Sequence, residues 1–229
     1  MEHNEKNFIQ TQESLIKKIV CEDSFDINTI NKIAGVDLAY WKDNTNQEYA
    51  VCCIVVIDKK THKVIESKSS SDKIEVPYMP GFLAFRELPL VLKTVKLLEN
   101  TPDLYMFDGN GYLHPRHMGI ATHASFYLNV PTIGVAKTYY RIEKNLNYSE
   151  PNTNAGSYTD IVFNDEVYGR ALRTHDNINP IFVSIGNYIS IDTATKLVFD
   201  MVEKESRIPV PTRMADLETH KMRSALINK

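Results

Sequence analysis

The chain has 229 residues, enough to bury a sizeable core without disulfides or metals and few enough for one large domain, so a single domain over 1–229 is expected. Hydrophobic residues make up 43% and charged residues 24%, the balance of an ordinary globular protein, and the net charge of −3 offers no overall basic field. A nucleic-acid partner would therefore need a local basic face or a bound cation, and a membrane partner is excluded because no run is apolar enough to span one.

The first twenty residues lack the apolar core of a signal peptide, and three cysteines, Cys21 and the adjacent Cys52 and Cys53, give no disulfide framework. A reducing, cytoplasmic setting is expected.

In chain order, residues 4–20 read as an amphipathic helix with Phe8, Ile9, Leu15, Ile16, Ile19 and Val20 on one side. Residues 32–40 form a near-continuous apolar strand with one charge inside it, Asp37. Residues 49–57 and 64–68 follow as strands joined by a polar turn, which suggests an antiparallel meander. Pro77, Pro80 and Gly81 exclude regular structure after that. A helix is predicted over 89–98 with Pro89 in its first turn, and Glu87 falls just ahead of it.

Residues 104–107 are a short buried-type strand that stops at Asp108, and Gly109 and Gly111 permit a tight turn there. Helical spacing over 117–128 leads into a second apolar strand, 130–136, closed by Lys137. Residues 141–160 read as a long loop, 160–173 as a hairpin turning at Asn164-Asp165, and 180–184 as a strand. Ser190 can cap a helix over 191–202. The tail from Arg207 onward, with Lys221, Arg223 and Lys229, reads as a solvated basic C-terminus. The order fits an α/β fold with a mixed sheet and helices on its faces.

Asp37 is the residue hardest to explain as structure, since a carboxylate inside an apolar strand must be paired or hold a cation. A salt bridge would satisfy it. So would a metal shared with a second acid, for which Asp108 at a neighbouring strand end and Glu87 ahead of a crossing helix are the candidates. Asp108 could instead only cap its turn, and Lys137 could be an ordinary exposed lysine. Two carboxylates about 4 Å apart repel by roughly 4 kcal/mol at the effective dielectric of protein sites, so three together call for a divalent cation. All-oxygen ligands favour Mg²⁺ or Mn²⁺ over Zn²⁺.

The motifs PYMPGFLAFRE (77–87), DGNGYLHPRHMGIATH (108–123), PTIGVAK (131–137) and GRALRT (169–174), with IAGVDLAY (33–40) and PVPTRMAD (209–216), resemble endonuclease V. The resemblance spans nearly the whole chain and implies an RNase H-like fold. It also implies an Mg²⁺-dependent enzyme, with Mn²⁺ able to substitute. Such an enzyme hydrolyses the second phosphodiester bond 3′ to hypoxanthine in deoxyinosine or inosine and leaves a 3′-hydroxyl and a 5′-phosphate. Asp37, Glu87 and Asp108 would be its metal-site carboxylates, Lys137 its active-site lysine and His114 a substrate-site histidine.

Tyr78, with Pro77, Met79 and Pro80, resembles the family's wedge, which replaces the displaced base, and Gly81, Leu83, Gly109, Gly119 and Ile120 its base pocket. DNA is expected ahead of RNA as the partner, a monomer is expected, and DNA repair or inosine-RNA processing is the implied role. Asn110 and Asn187 stand where the family commonly carries histidines, the second of them near the metals, and His175 where it often carries arginine. Two other readings stay open: an inosine-binding protein with little or no cleavage, and another RNase H-like, structure-specific nuclease.

Overall fold

A computed structural model describes residues 2–227, so the predicted basic residue Lys229 lies outside the described residues. The strands are β1 (Lys32–Lys42), β2 (Glu48–Asp58), β3 (Val64–Lys73), β4 (Leu104–Asp108), β5 (Thr132–Ala136), β6 (Tyr158–Phe163), β7 (Glu166–Leu172) and β8 (Ile181–Asn187). They form one sheet in the order β3-β2-β1-β4-β5-β8-β7-β6. The first three strands pair antiparallel, β4 and β5 add in parallel to β1, and β8 returns antiparallel along β5. The β6–β7 hairpin turns at Asn164 and Asp165, both with positive φ (51° and 63°), which gives the backbone twist that a two-residue connection needs.

Two apolar layers cover the sheet. On one face Ile33, Met106, Ile133 and Ile185 pack under α4 (Ile191–Asp200) and α5 (Val210–Ile227) through Leu197, Val198 and Val210. On the other, Val36, Ile54 and Phe107 pack under α2 (Leu83–Val95) and α3 (Ile120–Leu128) through Leu88, Val91 and Ala124. The first turn of α5 lies directly on β1. A Cβ at Gly35 would fall 1.8 Å from the Pro211 carbonyl oxygen, so only glycine lets the helix come that close. The N-terminal helix α1 (Glu2–Ile16) stacks Phe8 on Phe85 of α2, with ring centroids 3.9 Å apart.

Four expectations are corrected. Helix α2 starts at Leu83 rather than at Pro89, so Pro89 and Glu87 both lie inside it. Leu83, Ala84 and Phe85 continue the helix backward, and Pro89 is exposed, where water can take the carbonyl it leaves unpaired. Helix α3 starts at Ile120 rather than 117, because His117 adopts positive φ (52°) and breaks the spiral. Strand β3 runs on through Ser69, Ser70 and Ser71, polar residues that pair with Cys53, Cys52 and Val51 at a sheet edge. The segment 210–227 is not an irregular tail, although Lys221 stays exposed on it. It is the 18-residue helix α5, with Ala215 and Thr219 fully buried against the sheet.

Candidate active site

The site forms where β1 and β4 stop pairing. Gly35↔Met106 and Val36↔Phe107 are the last parallel pairs, so Asp37 and Asp108 come next on adjacent strands. Alternation along a strand sends both side chains to the face of Gly35 and Met106, the face that α5 covers. Asp108 pairs with Val135 on β5, and Lys137, two residues beyond Val135, points to the same face. Helix α5 supplies a third acid that the motif reading gave no role, Asp216. One oxygen from each of Asp37, Asp108 and Asp216 lies within 4.8 Å of the other two.

Lys137 ties two of these acids together, with Nζ 2.7 Å from Asp108 Oδ2 and 3.0 Å from Asp216 Oδ1. Thr219, one helical turn after Asp216, donates to Asp37 Oδ2 at 2.7 Å. Among the described residues no arginine pairs with any of the three. Burial raises the Asp37 carboxyl to about 6, the Thr219 hydrogen bond opposes that rise, and the Asp108 and Asp216 charges add to it. Burial also works against the charge on Lys137, but the hydrogen bond and charge of Asp108, then those of Asp216, outweigh it and raise the ammonium's pKa. The donor set is all oxygen and crowded with like charge, which fits a hard divalent cation such as Mg²⁺ or Mn²⁺.

Glu87 reaches this edge from the opposite face. It is 7% exposed, and it is not one of the three acids whose oxygens close on one another. Tyr40 Oη donates to its Oε1. Burial raises the Glu87 carboxyl to about 7, against the pull of the Tyr40 hydrogen bond and with the help of the Asp37 charge. Arg86 beside it forms a 2.7 Å ion pair with Glu48 and lies over the Tyr40 ring at 4.5 Å, which fixes the tyrosine from behind.

A pocket of about 120 Å³ draws its walls from the segments that carry Glu87, Asp108 and Lys137, while those of Asp37 and Asp216 supply none. Leu83 and Ala84 lie one turn ahead of Glu87, Asn110 two residues after Asp108, and Tyr140 three residues after Lys137. Gly81, His114, Met118, Gly119 and Ile120 complete it, and Tyr78 stands at its rim, 64% exposed on the loop between β3 and α2. Four of the five predicted pocket residues therefore line one cavity. The fifth, Gly109, stands behind Ile120, whose Cγ2 would lie 2.9 Å from an added Cβ. Pro77, Met79 and Pro80 flank Tyr78 on the same irregular loop.

His114 is buried. Its Nδ1 accepts from the backbone N–H of Arg116 (3.1 Å) and of Met118 (3.3 Å), which leaves Nε2 to donate to the Gly81 carbonyl at 3.1 Å. Burial, then the nearby Arg116 charge, pushes its pKa down to about 4, so it acts as a neutral donor and not as a proton shuttle.

Asn187 is not at the site. Strand β8 runs antiparallel to β5, so its last residue lies beside Thr132 at the opposite edge from Lys137. Its Oδ1 accepts from the N–H groups of Val20 and Tyr188 and pins the chain leaving α1. The expected equivalence with a histidine near the metals fails on geometry, and Asp216 is the residue this chain brings there. The signal for Asp216 was present in the PVPTRMAD motif. Tyr40 likewise closes the IAGVDLAY motif, whereas Thr219 and Tyr140 had no signal, because their roles depend on tertiary packing.

Known proteins share this chain's sequence pattern and fold. Residues 13–217 match the endonuclease V family model. The chain is similar to endonuclease V of Bacillus thuringiensis subsp. konkukian, with 56% identity over 97% of this chain and 94% of that protein. The crystal structure of the Bacillus subtilis endonuclease V superposes with a TM-score of 0.93 at 50% identity and covers 97% of this chain and 93% of that one. The Ciona intestinalis endonuclease V, solved in complex with a 24mer DNA containing an inosine followed by a ribo-adenosine, superposes with a TM-score of 0.87 at 28% identity over 99% of this chain and 100% of that one. The mixed sheet with its two helical layers is thus the RNase H-like α/β fold of these nucleases, and the chain belongs to the endonuclease V family.

Proposed function

We propose that this protein is a metal-dependent endonuclease that cuts the second phosphodiester bond on the 3′ side of hypoxanthine, with DNA ahead of RNA as its substrate. Cleavage would leave a 3′-hydroxyl and a 5′-phosphate and serve the removal of deaminated adenine. The observation that carries the reading is that three carboxylates converge with a paired lysine, and that the segments carrying Asp108 and Lys137 also wall an aromatic-rimmed pocket. The inosine-containing DNA in the Ciona relative's structure supports the substrate class.

Asp37, Asp108 and Asp216 would hold Mg²⁺ or Mn²⁺, with Glu87 completing the site behind a water. A cation there supplies charge neutralisation at the scissile phosphate and a more acidic water. Lys137 faces two of these acids, and it would share that phosphate's charge once they have another counter-ion. Tyr78, exposed and stiffened by Pro77 and Pro80, would take the stacking place of a base that leaves the helix for the pocket. The pocket's close walls would reject the 2-amino group that distinguishes guanine from hypoxanthine. The neutral His114 and the backbone around Gly119 offer polar contacts at its wall.

The test is cleavage of single-inosine oligonucleotides, single- and double-stranded, in DNA and RNA, with Mg²⁺ or Mn²⁺ and matched inosine-free controls. Cleavage only of inosine strands, abolished by Asp37→Asn and by Asp108→Asn, is the expected result. Equal cutting of the controls, or binding with no product under either metal, would refute it.

A further inference from the structure

The carbonyl of Gly81 accepts three side-chain donors at once: Gln12 Nε2 at 3.0 Å, His114 Nε2 at 3.1 Å and Arg116 Nη2 at 3.2 Å. Gln12 closes the arrangement by accepting from Arg116 Nε with its Oε1 at 2.5 Å. Gln12 is fully buried, an unusual place for an amide, and both ends of its side chain are engaged in this one junction. Helix α1 holds it there: Phe8, one turn earlier, stacks on Phe85 and tilts against Phe82. The Arg116 guanidinium in turn lies over the Phe82 ring at 4.6 Å.

Gly81 is the joint of the wedge loop. Three residues before it stands Tyr78, and two residues after it α2 begins, carrying Leu83 into the pocket wall and then Glu87. Its φ of 81° is a conformation that favours glycine, which leaves this backbone with freedom that the neighbouring prolines have lost. The segment 77–80 is stiff in itself, so its direction depends on how the Gly81 peptide is held.

We infer that Gln12 and Arg116 are positioning residues that lock the Gly81 carbonyl and so aim Tyr78 and the pocket wall at the extruded base. The inference rests on the proposed function for its catalytic consequence. The clamp itself is open to test without any substrate. Helix α1 thereby takes part in substrate selection and is more than a cover for the core.

The test compares Gln12→Leu, Gln12→Glu and Arg116→Lys with the wild-type protein. Gln12→Glu keeps the acceptor for Arg116 Nε but lacks the donor to Gly81, and Arg116→Lys loses the forked geometry and the Nε contact to Gln12 while leaving the apolar packing of α1 unchanged. Two readouts are needed: amide hydrogen exchange over 77–83 in the free protein, and kcat and KM on a single-inosine oligonucleotide with Mn²⁺, beside the Kd for the same strand without inosine.

All three variants are expected to speed exchange over 77–83 by about fivefold, the equivalent of one net neutral hydrogen bond, and to raise KM by about the same factor. The kcat and the Kd for the inosine-free strand stay as in the wild type. Unchanged exchange over 77–83 overturns the clamp. So does a fall in kcat at unchanged KM, or an effect confined to Gln12→Leu, which would mean that α1 had only come loose. If the wild-type protein does not distinguish inosine at all, the functional reading fails, and the exchange data still decide the clamp.

Discussion

Lys137→Met probes the electrostatics of the site most directly. Two carboxylates about 4 Å apart repel by about 4 kcal/mol at an effective dielectric near 20. Three acids whose oxygens lie within 4.8 Å of one another therefore carry roughly 10 kcal/mol of mutual repulsion before screening. The two contacts of Lys137, at 2.7 and 3.0 Å, return an attraction of similar order on the same scale. The lysine thus supplies the counter-charge to these acids in the metal-free protein.

Its side chain is 37% exposed, and that of Asp216 30%, so water removes much of both terms. Protonation sets a ceiling on the loss. At pH 7 the penalty for folding with one aspartic acid kept neutral is about 4 kcal/mol, from roughly three pH units at 1.36 kcal/mol each. The expected loss on Lys137→Met in EDTA is therefore about 3 kcal/mol, or roughly 10 °C in Tm for a chain of this size.

A divalent cation replaces the lost charge. At about 100 times its Kd it stabilises either protein by about 2.7 kcal/mol, and because the variant starts with unneutralised acids its Mn²⁺-induced rise in Tm should exceed that of the wild type. Calorimetry in EDTA and in a Mn²⁺ titration measures both quantities. Equal melting temperatures without metal, together with equal shifts on adding it, would refute the account of Lys137 as the counter-charge to these acids.

Asp216→Asn should lower inosine cleavage on the order of a thousandfold, because a catalytic cation supplies several kcal/mol and this acid completes the group that would hold it. Single-turnover rates at saturating Mn²⁺ check it. Tyr78→Ala should raise KM for an inosine duplex by tenfold or more, since base–aromatic stacking contributes about 1–3 kcal/mol, and should leave Tm alone because the ring is 64% exposed. Paired kinetics and melting curves read both.

Asp37 and Glu87 should make the metal-free protein gain stability from pH 8 to pH 5 relative to a variant carrying Asp37→Asn and Glu87→Gln, a comparison that removes the opposite contribution of the buried His114 and His123, whose pKa values burial lowers to about 4. Asp37 rises to about 6 from 3.8 and Glu87 to about 7 from 4.5. For an acid whose folded pKa is raised, the stabilisation is fully present below the unfolded value and disappears as pH rises through the folded one. The loss therefore falls between about pH 4 and pH 7, worth roughly 3 kcal/mol from Asp37 alone. Melting both proteins in EDTA across that range tests it, and equal pH slopes in the two would refute it.

What was legible in the sequence is what strand physics makes local. Asp37 stood out because an apolar strand cannot hold a bare carboxylate, and Asp108 because an apolar run stopped there against two glycines. Alternation then put both on one face once the register of β1 and β4 was known. Asp216 is different. It reaches the site only because α5 lies flat on the sheet, and that depends on Gly35 meeting the Pro211 carbonyl, a contact between residues 176 positions apart.

The helix itself is weakly patterned, carries a proline in its first turn and buries threonines and an alanine rather than a leucine stripe, so nothing local marked it as core. Asn187 failed for a related reason. A short buried strand reads the same in either direction, and only the antiparallel pairing of β8 with β5 decides which end faces the acids. Residues presented by strand ends next to a turn can be found from their own neighbours in the sequence. Residues delivered by an overlying helix, or by the sense of a strand, are fixed by the packing that brings them in, and Asp216 with its partner Thr219 belongs to that second kind.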